Sequence, residues 1–178
     1  MAIYMTSSLS STLEPKRKNR WVMQFARIPG NTDKEEPLAF VAHTASRPSW
    51  SFTETEHQRL NERYYIAGKP TFNNLAMSFY DFIRGDDSAG SILNNWAKMI
   101  YNPLTGQMFF KKEYSTSATL AMLDPSGGIV EVWSLFYIWP QEVNYNDLSS
   151  EDDGPAEVNA TFRYDFAVRS AETDTTPA

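Results

Sequence analysis

The sequence predicts a mainly β fold, an antiparallel β-sandwich or barrel of about eight strands with one α-helix packed on it. Three observations carry that expectation. Apolar and polar residues alternate with period two in short segments, most cleanly where Val158, Ala160, Phe162, Tyr164, Phe166 and Val168 interleave with Asn159, Thr161, Arg163 and Asp165. Turn-forming clusters punctuate the chain at Pro29-Gly30-Asn31, Arg47-Pro48, Gly68-Lys69-Pro70, Asp124-Pro125-Ser126-Gly127-Gly128 and Asp153-Gly154-Pro155. The 178 residues are 42% hydrophobic and include 11 Phe, 9 Tyr and 5 Trp, enough apolar surface to separate this chain from disordered and low-complexity classes.

Strands are expected, in order, at Asn19 to Ile28, Leu38 to Thr44, Trp50 to His57, Glu62 to Ala67, Thr71 to Tyr80, Ser115 to Leu123, Ile129 to Trp139 and Val158 to Val168. Asp124 to Gly128 joins two of them as a hairpin, because proline restricts φ and the glycines accept positive φ. One helix is predicted: Asp86, Asp87 or Ser88 caps it, Ile92, Leu93, Trp96, Met99 and Ile100 share a face, and Pro103 stops it. No repeat or linker divides the chain. A flexible arm over residues 1–18, a β domain over 19–168 and a flexible tail over 169–178 are the expected organisation.

Composition excludes several classes of function. Without cysteine there are no disulfides, thiolate metal sites or cysteine nucleophiles. A net charge of −6 opposes general nucleic-acid affinity. The acidity is concentrated in residues 142–178, with nine acids against the two bases Arg163 and Arg169. Met1 to Leu13 lacks a basic start followed by an apolar run, so no signal peptide is expected. The apolar stretch from Ile129 to Trp139 is too short for the roughly 20 residues of a membrane helix, and no membrane insertion is expected.

The catalytic inventory is thin, and no enzyme activity, cofactor or metal is expected. Two histidines and no nucleophile-elbow, metalloprotease or phosphate-loop pattern are present. On a strand Glu54 and Glu56 share one face while His57 takes the other, so the three cannot ligate one ion. Glu151-Asp152-Asp153-Gly154 lacks the alternating ligands of a calcium loop. Lys16-Arg17-Lys18 with Arg20 reads as a solubilising cluster or a contact to an acidic partner.

Two segments depart from ordinary sandwich patterning. From Ile129 to Trp139 one face holds Ile129, Glu131, Trp133, Leu135, Tyr137 and Trp139, and the other is also mainly apolar. Such a strand is covered by the helix or by another subunit, so Trp133, Tyr137 and Trp139 are candidates for core or lateral packing. Trp50 to Ala67 is instead polar and projects as a long hairpin, an aggregation liability unless a partner takes it up.

The order Ile66-Ala67-Gly68-Lys69-Pro70-Thr71-Phe72, Phe79-Tyr80-Asp81, a helix with Asn95-Trp96, Asp124 to Gly128, and Leu135 through Trp139-Pro140 to Val143 and Leu148-Ser149 resembles the tail tube proteins of contractile-tailed bacteriophages. The resemblance spans residues 19 to 168. It implies a structural subunit of the virion tail, assembled in the host bacterial cytoplasm, that forms hexameric rings stacked into a tube inside a contractile sheath. Each subunit would give strands to one inner β-barrel. Six subunits with about four strands each, at about 4.8 Å spacing and about 40° tilt, give a backbone barrel about 50 Å across with about 40 Å clear, wider than a DNA duplex.

The partners so implied are other copies of the chain, the tail sheath protein, baseplate and tail-terminator proteins, and the tape measure protein and viral DNA in the lumen without sequence-specific binding. A conduit for DNA needs walls that do not hold phosphate. Polar strand faces supply lumen-facing candidates, Ser51, Thr53 and Thr55, or the opposite face with Glu54 and Glu56, in one segment and Glu157, Asn159, Thr161, Arg163 and Asp165 in another. The hairpin residues Glu56, His57, Gln58, Arg59, Leu60, Asn61, Glu62 and Arg63 are the candidate contact between rings. A tube in a related contractile injection or secretion device fits the same residues. A monomeric glycan-binding β-sandwich, with Trp and Tyr as stacking platforms, is the alternative of another class.

Overall fold

The computed structural model describes residues 15–31, 35–83, 85–151 and 153–171, and in it eleven strands and three α-helices are present. Strands β1 (Trp21–Phe25), β2 (Ala42–Ala45), β5 (Leu75–Tyr80), β8 (Thr116–Leu123), β9 (Ile129–Asn144), β10 (Glu157–Arg163) and β11 (Phe166–Ala171) make the body. They form one antiparallel sheet in the order β1-β8-β9-β10-β5-β2, with β11 also paired to β9. The first half of β9 pairs with β8 and β11 and its second half with β10. The sheet therefore folds along β9 into two layers, β1-β8-β9-β11 and β9-β10-β5-β2. Phe25 of the first layer meets Phe162 of the second with ring centroids 5.8 Å apart.

The fold line is a pair of facing irregularities. Tyr137 takes a positive φ of 57°, and opposite it the chain breaks between β10 and β11, where the Asp165 amide donates to the Phe136 carbonyl at 3.0 Å. Burial along β9 changes phase there: Glu131, Trp133 and Leu135 are buried, then Ile138 and Pro140. The expected face running unbroken from Ile129 to Trp139 is therefore corrected. A bulge inserts one residue and turns Tyr137 outward, away from Trp133. The expected single strand over Val158 to Val168 is likewise two strands, with Tyr164 buried and Asp165 exposed between them.

Helix α1 (Glu35–Val41) occupies most of the segment expected to be a strand over Leu38 to Thr44, so the prediction of a single helix is also corrected. The deciding feature is spacing. Leu38 and Val41 are buried and Phe40 is 84% exposed, a three-residue interval that only a helix brings to one side. Pro37 falls in the first turn, where its missing amide hydrogen is not needed. Helix α2 (Ala89–Lys98) is the predicted one, and of the three proposed caps Ser88 does the work, its hydroxyl accepting from the Ser91 amide at 3.2 Å. Its buried face, Ile92, Leu93 and Trp96, packs on the sandwich, with Trp96 5.7 Å from both Phe25 and Phe162.

Three small elements escape the sequence reading because each spans only about one period of its pattern. These are the two-residue strands β6 (Tyr101–Asn102) and β7 (Gln107–Met108) and the one-turn helix α3 (Lys111–Tyr114). The Asp124 to Gly128 turn forms as expected. Asp124 Oδ1 accepts from the amides of Ser126 and Gly128, both at 2.7 Å, while Gly127 takes a φ of 90°.

Among the described residues β1 and β2 do not pair, so the barrel is open along that seam. Helix α1 covers part of it with Leu38 and Val41 in the core. Residues 1–14 and 172–178, most of the expected flexible ends, lie outside the described residues. Lys16 is tied to Glu131, and β11 carries the sheet to Ala171, past the expected boundary at residue 168.

Candidate functional site

β3 (Trp50–Arg59) and β4 (Glu62–Phe72) form a separate two-stranded sheet. They extend the β2–β5 pair outward: the Ser46 amide donates to the Ala76 carbonyl at 2.8 Å and the Asn73 amide to the Ser49 carbonyl at 2.9 Å, so the ladder continues across the joint. Aromatic packing bolts the root down. Trp50 lies 5.7 Å from Trp133, and Phe72 lies 6.0 Å from Tyr164. Arg163 donates to the Phe72 carbonyl at 2.7 Å and to Asn74 Oδ1 at 2.9 Å.

Beyond that root the hairpin has no body to rest on. All ten residues of β3 are exposed, and so are nine of the eleven in β4. The strands stay paired from Arg59 opposite Glu62 back to Trp50 opposite Phe72, with one irregularity next to Phe52. Gly68 is required there, since a Cβ at this position would come within 2.3 Å of Thr53 Oγ1 and 3.0 Å of its carbonyl. Phe52, Tyr64, Tyr65 and Ile66 are each half or more exposed. At the tip Leu60 is 98% exposed with φ of 55°, an apolar side chain in the backbone region least suited to it. An isolated two-stranded ribbon is marginal in water.

The residues expected to touch a neighbouring ring sit on the outer part of this ribbon and divide between its faces. Gln58 Nε2 donates to Glu56 Oε1 at 2.8 Å, and Arg63 lies 3.4 Å from the same oxygen. On the other face His57 stacks on Tyr64 at 5.3 Å, opposite in register, with Arg59 paired to Glu62. Leu60 and Asn61 make the tip.

The lumen-facing candidates fall in three places. Glu157, Asn159, Thr161 and Arg163 are half-buried positions alternating with the buried Val158, Ala160 and Phe162, so they share the outer face of the second layer. Thr161 stands opposite Ala76 and Glu142, and Asn159 opposite Ser78 and Asn144. Ser51, Thr53 and Thr55 take the hairpin face turned away from Trp50 and Phe52. Asp165 leaves this set: it stands at the fold line, where Lys111 binds it at 2.5 Å and lies 5.5 Å above the Tyr137 ring. Of the packing candidates Trp133 is buried, Trp139 is half-buried against Tyr114 at 5.8 Å, and Tyr137 is 52% exposed.

Glu131 is the residue that sequence reasoning passed over. Its side chain is 1% exposed, and it accepts from Lys16, Arg47, Arg169 and the indole of Trp133. Burial pushes its carboxyl up, but the donors Lys16, Trp133 and Arg47, with the charge of Arg47, outweigh burial and hold it at about 2. The hub joins the start of the described chain, the segment leading into β3, and β11. A lone acid in an apolar strand was the available signal, because such an acid must find cations. Lys16 of the basic cluster thereby pairs within this chain, with its side chain still 39% exposed.

No group of three or more His, Asp and Glu that could hold a metal occurs among the described residues. His43 stacks on Tyr80 at 4.2 Å with Nε2 3.6 Å from Glu157.

No family model and no curated protein matches the sequence. Solved structures do match. A chain in the anti-feeding prophage cap, the AFP tube terminating cap, is 13% identical over 96% of this chain and 99% of that one, with a TM-score of 0.69. One in the sheath-tube complex of PVC, an extracellular contractile injection system, is 14% identical over 93% and 99%, with a TM-score of 0.68. One in the SPP1 tail tube is 17% identical over 92% and 83%, with a TM-score of 0.56. The two-layer body with its projecting hairpin is thus the fold of tail tube proteins, shared by phage tails and contractile injection systems.

Proposed function

We propose that this chain is the structural subunit of a tail tube, forming hexameric rings that stack into a hollow conduit within a sheath. The observation that carries the reading is the hairpin β3–β4, fully paired yet exposed along its length, on a fold otherwise seen in tube assemblies. Such a ribbon exposes apolar area and free strand edges that only a partner can cover. Copies of the same chain supply that partner at every position of a tube. The open seam between β1 and β2 and the outer edge of β11 offer further unpaired strands for joining subunits laterally.

The outer face of the β9-β10-β5-β2 layer, with Asn159, Thr161, Ser78 and Asn144, is the proposed lining of the bore. It is polar and carries little positive charge: Arg163 is turned onto Phe72 and Asn74, leaving Glu142 and Glu157 to set the sign. Such a wall passes DNA or another polyanion without holding it. The outer face of the other layer, with Val132, Phe136, Phe166 and Val168, suits contact with protein instead.

A tube in a contractile injection device is the second reading, favoured by the higher TM-scores to AFP and PVC chains than to the SPP1 chain. Sheath, baseplate and terminator proteins are the proposed partners in either case. No helix among the described residues is long and apolar enough to cross a membrane.

Electron microscopy of the purified protein, alone and with sheath or baseplate components, tests the assignment. Rings or tubes with a central channel are expected. Folded, concentrated protein that stays monomeric even beside a tail initiation complex would overturn it.

A further inference from the structure

Complementary features lie toward the two ends of β9. Where β1, β8 and β2 approach one another lies a groove of about 460 Å³, with Lys16, Lys18 and Arg47 on its rim and Trp21, Leu120 and Met122 among its lining. Three cations already share the Glu131 carboxylate here, so this end holds positive charge in excess. The connection from β9 to β10 has the opposite character. Asp147, Glu151 and Asp153 are exposed, and none of the three forms an ion pair among the described residues. Leu148 stands among them 91% exposed. The start of this loop is held in place, with the Tyr145 hydroxyl donating to the Gly90 carbonyl at 3.3 Å and Asn146 Nδ2 to the Glu157 carbonyl at 3.1 Å.

Glu131 lies near one end of β9 and the acidic loop follows the other. No residue of that loop lines the groove of its own molecule. We propose that it seats in the groove of a second copy, with Leu148 against the apolar lining and Asp147 and Glu151 against the rim of Lys16, Lys18 and Arg47. Different surfaces meet in such a contact, so it repeats head to tail and generates a closed ring or a helix rather than a two-fold dimer. This deepens the tube reading and rests on it.

Two charge-reversed proteins test the contact, Lys18→Glu in the groove and Asp147→Lys with Glu151→Lys in the loop. All three positions are exposed, so the fold is left intact. Each protein alone is expected to remain unassembled by electron microscopy and sedimentation, whereas an equimolar mixture assembles, each acidic surface meeting a basic one. Normal assembly of either alone, or a mixture of folded proteins that stays unassembled, overturns the contact. A labelled peptide of residues 145–156, titrated with the full chain and read by anisotropy, separates this proposal from the tube reading. Binding that weakens at least tenfold with Lys18→Glu supports the contact even where the unaltered chain forms no tube. Absence of peptide binding rejects the contact even where tubes form.

Discussion

β8–β9 and β3–β4 are both antiparallel hairpins joined by short turns, yet they reach stability in different ways. In β8 five of eight residues are more than nine-tenths buried or close to it, including Ala118, Leu120 and Met122, and in β3 every residue is exposed. Both backbone ladders run the length of the hairpin, with one irregularity in β3–β4 and two in β8–β9. Backbone pairing therefore does not distinguish a buried hairpin from an exposed one. What distinguishes them is whether a second layer within the same chain covers a face, since hydrogen bonds traded with water contribute little net free energy and apolar burial contributes most.

The comparison is broken most severely from the core side. Phe162→Ala removes a fully buried ring that touches Phe25, Phe79 and Trp96, and is expected to cost about 3–5 kcal/mol in chemical denaturation. A loss below about 1 kcal/mol would mean that the two layers do not pack on each other as described.

Glu131→Gln comes next, because it leaves three cations around a neutral amide at the hairpin root. A carboxyl held at about 2 when folded and near 4.5 when unfolded contributes stability that is complete above pH 4.5 and is lost as pH falls through 2. The variant should be less stable than the parent by about 3 kcal/mol at pH 7. That gap should close between pH 4.5 and 2 in denaturation curves, and a gap independent of pH would refute the ionised hub.

Gly68→Ala sharpens the contrast, since the added Cβ collides with Thr53 in the hairpin alone. Melting of the free subunit should hardly move, while the concentration needed for tube formation should rise roughly tenfold, about 1.4 kcal/mol of assembly free energy. Equal losses in both measurements would place the hairpin within the cooperative core. The smallest effect on the free chain is expected for Glu62→Arg or Arg63→Glu, within about 0.5 kcal/mol of the parent. Each should shorten tubes in electron micrographs, and tubes of normal length would exclude the hairpin tip from the contact between rings.

Much of the fold is legible in residue patterns. Alternation marks β1, β3, β8 and most of β9, and the Asp124 to Gly128 turn and the capped face of α2 stand where their chemistry puts them. The projection of residues 50–67 is also readable, because that segment has too few apolar residues to pay for burial. The errors have one kind of cause. In α1 a short apolar run fits both periods, and only the presence of a core on one side selects Leu38 with Val41 over Leu38 with Phe40. At Tyr137 a one-residue bulge reverses all later side chains of β9, and no local signal announces it. The Glu131 hub joins residues 16, 47, 131 and 169, which are distant in the chain and meet only after the layers fold.

Composition and alternation alone determine that this chain builds β structure, has no thiol chemistry and must offer a polar ribbon to its surroundings, since those properties follow from side-chain chemistry and a two-residue backbone period. Tertiary structure decides where β9 bends, which carboxylate is buried among cations and which sheet edges remain open. These depend on contacts between residues far apart in sequence, where volume, charge and hydrogen-bond geometry must be satisfied together in three dimensions.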